Sequence, residues 1–506
     1  MAETRYVAGF PFSQSSLFYP GKGSCRHFQK HHQVARMTSY SRTTRLLAGA
    51  AACLAAAVVA LPAHAVGGVE PLTDVLNTPN SAGVGVINRI ETSPYLGGGT
   101  RYDLLPLYLY EGERVFLHAN RLGFKLLDQG DKGTGQRLDV FVEQRLEGFP
   151  TSRLPPSLAG MAPRDSGIDL GLSYRYRQPW GTVQAEFVQD IGDTSRGSEA
   201  RLGYSYEWRS GALSLRPALS LSVRSAKLNN YYYGVLPNEA IAGRPAYAPG
   251  AGVNSQIGLY GSYDISEGWR LLGGVSATML GNSAKNSPIV QKRVLPAVYI
   301  GAVYDFGSRT RQSTEDNSLT YFKLLYGKAT ENGCHLARII TARCLSVAST
   351  NATSITGVQV GKPFIDRLNG WPVDVAGYVG LIHHNDRGLQ ANGAQLDVFM
   401  KATYYGFPWS DRVKTRLGLG VGLSLAQRVP YTEVSSQTGK TTSRLLQYLD
   451  PTLDVSLGDL LGSRSLKNTY IGVGVSHRSG IFGASRLLGN VDGGSNYIYS
   501  YLESAF

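Results

Sequence analysis

The stretch ALSLRPALSLSVR, residues 212–224, alternates with a period of two. Leu213, Leu215, Leu219, Leu221 and Val223 fall on one face, and Ser214, Arg216, Ser220, Ser222 and Arg224 fall on the other. Successive side chains of a strand point to opposite faces, so this is a β-strand with one greasy face and one polar face. LGLGVGLSLA (417–426) has Leu or Val at every odd position and Gly, Ser or Ala at every even one. Leu170, Leu172, Tyr174 and Tyr176 oppose Gly171, Ser173, Arg175 and Arg177 in the same manner. A soluble sandwich would have to bury those arginines, at a high cost. In a transmembrane barrel they line the lumen while the apolar face meets lipid. The pattern predicts an all-β protein made of antiparallel transmembrane β-barrel.

Composition narrows the field in the same direction. The chain has 506 residues, with 60 Gly, 30 Tyr and 17% charged side chains, and a mean hydropathy of −0.14. A helical membrane protein needs runs of about 20 apolar residues. The one stretch that approaches this, 46–61, is short and sits close to the start. Hydrophobic residues at 42% and aromatics at 10% argue against disorder. From Met37, the chain reads MTSYSRTTRLLAGAAACLAAAVVALPAHA, with Arg42 and Arg45 ahead of an apolar core and Ala63-His64-Ala65 behind it. This is the pattern of a secretory signal peptide, 37–65. Residues 1–36 show no periodicity and read as a gene-start extension.

Setting 1–65 aside leaves 43 basic and 36 acidic residues, a net charge of +7 in place of +13. No Lys/Arg block of the nucleic-acid-binding type remains, so no nucleic-acid partner is expected. Gly418, Gly420 and Gly422 lack the order and the following helix of a phosphate loop, and no cofactor is expected. His383-His384-Asn385-Asp386 looks metal-like, but adjacent residues of a strand face opposite ways. A loop at a barrel mouth is the better account, and no metal site is expected. Cys25 and Cys53 go with the leader, leaving Cys334 and Cys344 around ENGCHLARIITARC. In an oxidising periplasm they are a candidate disulfide, with two free thiols as the alternative.

Val298, Ile300, Ala302, Tyr304 and Phe306 alternate with Tyr299, Gly301, Val303 and Asp305, and the polar GSRTRQSTEDNS follows. Closing strands of bacterial outer-membrane barrels look like this, with an aromatic residue last. The chain itself ends in Phe506 after Tyr497, Tyr499 and Tyr501. Two closing strands predict two tandem barrels, 66–308 and 318–506, joined by a linker at 309–317. The alternative is a single barrel of about 18 to 20 strands. LDVFVEQRLEGFP (138–150) against LDVFMKATYYGFP (396–408) shares seven of thirteen positions, which suggests internal duplication or convergent strand-turn chemistry.

SPYLGGG (93–99), DLLPLYLYEGERVFLHANRLGFKLL (103–127), LNNYYYGVLPNEA (228–240), GRPAYAPGAG (243–252) and NSPIV (286–290) resemble the MltA-interacting protein family, MipA/OmpV, of outer-membrane barrels. The resemblance implies a non-enzymatic scaffold linking a lytic transglycosylase to a peptidoglycan synthase, or a surface protein, with the motifs marking the barrel itself. Read from the residues, Tyr231, Tyr232, Tyr233 and Pro237 form a strand end and turn at the membrane interface.

In the second half Ile471, Val473, Val475, His477 and Ser479 share one face of a strand. An enzyme acting on a bilayer lipid needs its base and nucleophile on such a lipid-facing row. SHRSGI resembles the His-x-Ser of the outer-membrane lipid A 3-O-deacylase family. That resemblance implies His477 as base and Ser479 as nucleophile, with Asp492, or alternatively Glu503, as the acid behind the ring. Polar residues at a strand end are the plain alternative. Asp411, Arg412, Lys414 and Arg416 beside Trp409 form a charged turn at an interface, where Arg and Lys can meet lipopolysaccharide phosphates. A diffusion porin is the third reading, weakened because small barrels are filled by side chains.

Overall fold

The computed structural model describes residues 81–131, 133–149, 153–306, 320–331, 334–349, 352–436 and 442–506. The expected extension, signal peptide and linker lie outside the described residues. The first barrel comprises β1 (Ser81–Thr92), β2 (Thr100–Glu111), β3 (Val115–His118), β4 (Arg121–Asp131), β5 (Thr134–Gln144), β6 (Ile168–Gln178), β7 (Gly181–Asp190), β8 (Ser198–Ser205), β9 (Trp208–Ser210), β10 (Leu213–Arg224), β11 (Gly252–Ser266), β12 (Trp269–Met279) and β13 (Val294–Asp305). β13 returns to β1 and β10 pairs with β11, which closes a ring of 12 strands with β9 continuing the line of β8.

The second barrel comprises β14 (Tyr321–Ala329), β15 (Ser354–Ile365), β16 (Val373–Asn385), β17 (Gly393–Tyr404), β18 (Thr415–Ala426), β19 (Leu445–Ser456), β20 (Thr469–Ser479) and β21 (Gly494–Ala505). It closes through the β14–β21 pairing. The single wide barrel is therefore replaced by two rings, each sealed by its own last strand.

Side-chain alternation sets the two faces. On β10, Leu219 and Val223 are 45% and 52% exposed, while Ser222 and Arg224 are buried inside. Tyr176, Trp180 and Tyr204 group at one end of the wall, and Trp269, Tyr304 and Phe306 do likewise, as amphipathic rings do at a membrane interface. Short links at 179–180 and 267–268 lie at the end that holds both termini of the ring, and 145–167, 225–251 and 280–293 lie at the other. Outer-membrane barrels keep short turns in the periplasm and long loops outside, which orients each ring.

That orientation bears on the internal echo. β5 runs away from the terminus-bearing end of its ring, whereas β17, fourth in its own ring, runs toward it. The echoed segments cross the membrane in opposite senses, and the rings differ in size. Convergent strand-turn chemistry accounts for the echo; simple duplication does not. Along one side the two outer faces pack together, with Ala82, Val84 and Tyr108 against Met400, Val421 and Leu423. Asn369 Nδ2 also donates to Tyr304 Oη at 2.6 Å.

Candidate functional site

The inward positions of β4 to β8 carry alternating charge, and their register turns it into a ladder of ion pairs. Arg121 stands opposite Glu143, and Glu186 opposite Arg201. The Arg121 guanidinium donates to Glu186 at 2.7 Å and to Glu143 at 2.7 Å, and its face covers the Phe141 ring at 3.9 Å. Arg201 reaches Glu143 at 2.8 Å and Glu199 at 3.1 Å. Nearer the long loops, Arg145 pairs with Asp169 and Glu199, each at 2.6 Å, and Arg224 pairs with Glu147 at 2.9 Å. Toward the other end, Glu111 gathers His118 at 2.7 Å, Lys125 at 2.5 Å and Arg137 at 2.7 Å. Among these side chains lies a cavity of about 100 Å³, room for a handful of waters. The sequence reading placed Arg224 on the inward face; Arg121, Arg145 and Arg201 and the partners Glu143, Glu186 and Glu199 had the same two-residue signal and were missed.

A lid built from loops closes the long-loop end. The helix Ala226–Tyr233, capped by Ser225, buries Leu228, Tyr232 and Tyr233 against Tyr95, Phe149, Leu158, Met161 and Ile289. Tyr95 meets Phe149 edge-on at 4.7 Å and stacks on Tyr233 at 6.0 Å. Tyr233 Oη donates to Glu147 at 3.0 Å, which ties the lid to the ladder. Glu239 accepts from Arg164 at 2.7 Å and from the backbone N–H groups of Ala162 at 2.9 Å and Leu236 at 3.0 Å. Burial alone would raise its carboxyl, but Arg164 and those N–H groups hold it below the usual range. The expectation of a strand end and turn at Tyr231–Tyr233 is corrected here. Tyrosine favours strands, yet a ring of this width leaves a mouth to fill, and the chain leaving β10 coils into it. Pro237 opens the short helical turn Pro237–Glu239 in the same lid.

Four of the five motifs that carry the family resemblance converge on this lid, while 103–127 runs along β2, β3 and β4 of the wall. SPYLGGG supplies Tyr95, NNYYYGV supplies Tyr232 and Tyr233, and NSPIV supplies Ile289; Tyr247 of AYAPG pairs with Val235. The family model for the MltA-interacting protein MipA matches residues 82–306. Residues 82–306 are a MipA-family outer-membrane barrel. The chain is 36% identical over 135 residues to the outer membrane protein Omp26La of Vibrio anguillarum, an alignment covering 27% of this chain and 52% of that protein. It is 27% identical over 229 residues to the MltA-interacting protein of Escherichia coli (strain K12), covering 44% of this chain and 88% of that protein. The chain thus spans about half the length of the first of these relatives and most of the second. LpxR from Salmonella typhimurium aligns with 61% of this chain and 88% of its own, at 12% identity and a TM-score of 0.17. The MipA match ends at residue 306, before β14. Both rings are outer-membrane-type barrels, and the first, at 82–306, is the MipA-family one.

The second ring is filled across its middle. Asp450 accepts from the Tyr499 hydroxyl and from Lys401 at 3.3 Å, with Lys323 at 3.7 Å. Glu503 lies in this network, bonded to Arg416 at 2.7 Å and to the Tyr378 hydroxyl at 3.2 Å. His384 faces inward, bonded to Gln395 at 2.8 Å and edge-on to Tyr497. Both His383 and His384 belong to β16, so the expected loop is the end of a strand. Among the described residues no group of three or more His, Cys, Asp or Glu is placed to hold a metal. The charged turn also proves different. Residues 405–414 lie at the terminus-bearing end of the ring, away from the outer leaflet, and Arg416 points into the lumen toward Asp454 and Glu503.

His477 and Ser479 take separate partners. Asn496 Nδ2 donates to the Cys334 carbonyl at 3.0 Å, so its Oδ1 faces His477, and His477 Nδ1 donates to it at 2.6 Å. Ser479 Oγ accepts from the Ile481 N–H at 3.2 Å. Asp492 is exposed in the loop between β20 and β21, and Glu503 sits on β21 seven residues beyond Asn496, toward the opposite end of the ring. Cys334 and Cys344 form a disulfide with Cα atoms 5.6 Å apart. Together with Ile339 they cover Val475 on the outer face of β20. His477 thereby anchors the disulfide-closed loop through Asn496.

Proposed function

We propose that the MipA barrel is a scaffold that holds peptidoglycan-processing enzymes at the outer membrane rather than a conduit through it. The observation that carries this reading is the blocked lumen, with ion pairs across its middle and a packed lid at its outer mouth. Twelve strands enclose more room than side chains of ordinary size fill, and here arginines and loops are spent on filling it. The name of the relative in Escherichia coli, MltA-interacting protein, supports a lytic transglycosylase as the partner; a peptidoglycan synthase as the second rests on the family resemblance alone. In a planar bilayer the purified chain is expected to pass no stepwise current. Immobilised, it is expected to retain a purified lytic transglycosylase from its own host. Large steady conductance would favour the porin reading, and no retention at any salt concentration would remove the scaffold.

For the second ring we infer a structural part for His477 and Ser479. The support is that each is already engaged, by Asn496 and by the Ile481 N–H. Mass spectrometry of lipid A is expected to give the same acyl pattern from cells expressing wild type and Ser479→Ala. Loss of an ester-linked chain in wild type alone would restore the deacylase reading.

A further inference from the structure

The short β3 leaves the wall of the MipA barrel incomplete. β2 pairs with β1 along its whole length, from Thr100 to Glu111, but with β3 only at Leu109, Tyr110 and Glu111. The β3–β4 hairpin turns back at Ala119 and Asn120, part-way up the wall, where Asn120 is bonded to Gln144. Beyond that turn, among the described residues, no strand pairs with the free edge of β2 from Thr100 to Leu107. Across the gap stand Arg145 to Gly148, which follow β5. A strand edge at membrane depth needs partners for its N–H and C=O groups.

The partner comes from the other ring. The loop between β20 and β21, residues 480–493, enters the gap, and the Leu104 N–H donates to the Ala484 carbonyl at 2.9 Å. Arg486 touches both sides. Its backbone N–H donates to Asp103 Oδ1 at 2.5 Å, and its guanidinium to Glu91 at 3.3 Å and to the Leu146 carbonyl at 2.8 Å. Leu487 and Leu488, fully buried, pack in one cluster with Leu105 and Leu107. Arg153 holds the Gly483 carbonyl at 3.1 Å. Arg486 is also part of the lining of the 100 Å³ lumen cavity. Ile481 sits at φ 52° in this loop, costly for a β-branched residue, and it persists only where surrounding contacts impose it.

We propose that this gap is a lateral opening of the MipA barrel, sealed in cis by the β20–β21 loop with Arg486 as the latch. When the loop is out, the opening joins the charged lumen to the bilayer beside Tyr102, which is 63% exposed. What it admits is set by what the loop leaves behind. Asp103 loses Arg486, its ion-pair partner at 3.7 Å and the donor to its Oδ1, its Oδ2 having no hydrogen-bond donor among the described residues even now, whereas Glu91 keeps Arg89. Leu105 and Leu107 lose their aliphatic cover. The ligand class is a cationic amphiphile. The proposal goes beyond the scaffold reading and stands without it.

The test places a cysteine at the rim, Ala119→Cys, in full-length protein in lipid vesicles, with Cys25 and Cys53 replaced by serine and the Cys334–Cys344 disulfide intact. Its reaction is followed with a lipid-soluble and with a charged, water-soluble maleimide. Two loop variants are compared, Arg486→Glu and a replacement of 482–491 by two glycines, each shown to be folded by heat-modifiable gel mobility. Both are expected to speed the lipid-soluble reagent at least about tenfold, the factor that loss of about 1.4 kcal/mol of loop binding gives. Dodecylamine is expected to slow the shortened-loop protein again, and dodecanol to leave it fast. Unchanged rates in both variants, or acceleration confined to the water-soluble reagent, would overturn the lateral opening. Equal protection by amine and alcohol would overturn the ligand class.

Discussion

Arg121→Met is expected to destabilise the MipA barrel by about 3–5 kcal/mol, the usual loss when one member of a buried ion pair is removed. The Arg121 side chain is 5% exposed and those of Glu143 and Glu186 are 6% and 1%. Methionine keeps an aliphatic chain but removes the guanidinium from both the carboxylates and the Phe141 ring, and the double variant below separates the two losses. Glu143 and Glu186 would then still share Arg201. Two carboxylates in a poorly hydrated lumen repel at a cost that no added solvent relieves. Urea unfolding from vesicles, followed by tryptophan emission with Trp371 and Trp409 replaced by phenylalanine, isolates this ring. Removing a carboxylate as well, Arg121→Met with Glu186→Gln, is expected to restore more than half of the loss. A double variant no more stable than the single one would mean that the arginine acts through its contacts with the ring and not through the pairs.

Asp450→Ala is expected to do comparable damage to the second ring, again about 3–5 kcal/mol. Asp450 and Lys323 have fully buried side chains and Lys401 is nearly so. The aspartate is the shared counter-charge of both ammonium groups, and it accepts from the hydroxyls of Tyr499 and Tyr448. Without it, two lysines face one another with Glu503 as the nearby carboxylate. Asp450→Asn is expected to lose less, because an amide oxygen still accepts from Tyr499 while the charge is gone. Unfolding monitored by Trp371 and Trp409, with the three tryptophans of the first ring replaced, checks the order Ala worse than Asn. Equal stability of all three proteins would show that the lumen is wet enough to solvate the lysines, which the close packing argues against.

Strand periodicity is a local property, and it was legible wherever the chain alternates. β10 and β18 could be read face by face from Ala212–Arg224 and 417–426, because each neighbour in a strand points the opposite way whatever the strand pairs with. The two closing strands were legible for the same reason, through their terminal aromatics. The lid was not. Tyr231, Tyr232 and Tyr233 have strand propensity, and only the unfilled mouth of the ring favours a helix there. The acidic half of the ladder was in plain view at Glu143, Glu186 and Glu199, but an inward glutamate reads as polar until the register places an arginine opposite. The direction of β17 against β5 was hidden as well, since an echo of seven residues carries no information about which end of a membrane it starts from.

The sequence by itself determined that this protein is built of barrel strands with a lipid-facing and a lumen-facing side, that two of them look like closing strands, and that the first half resembles the MipA family. Those follow from spacing and residue type along a single strand. Only the tertiary structure decided that the lumen is closed, that His477 and Ser479 have different partners, and that residues 480–493 of one ring complete the wall of the other. The first two join residues of neighbouring strands and their turns, and the last joins groups hundreds of residues apart, such as Arg486 with Asp103 and Glu91. Which charges meet is fixed by strand register and ring closure, and neither is written in any one segment.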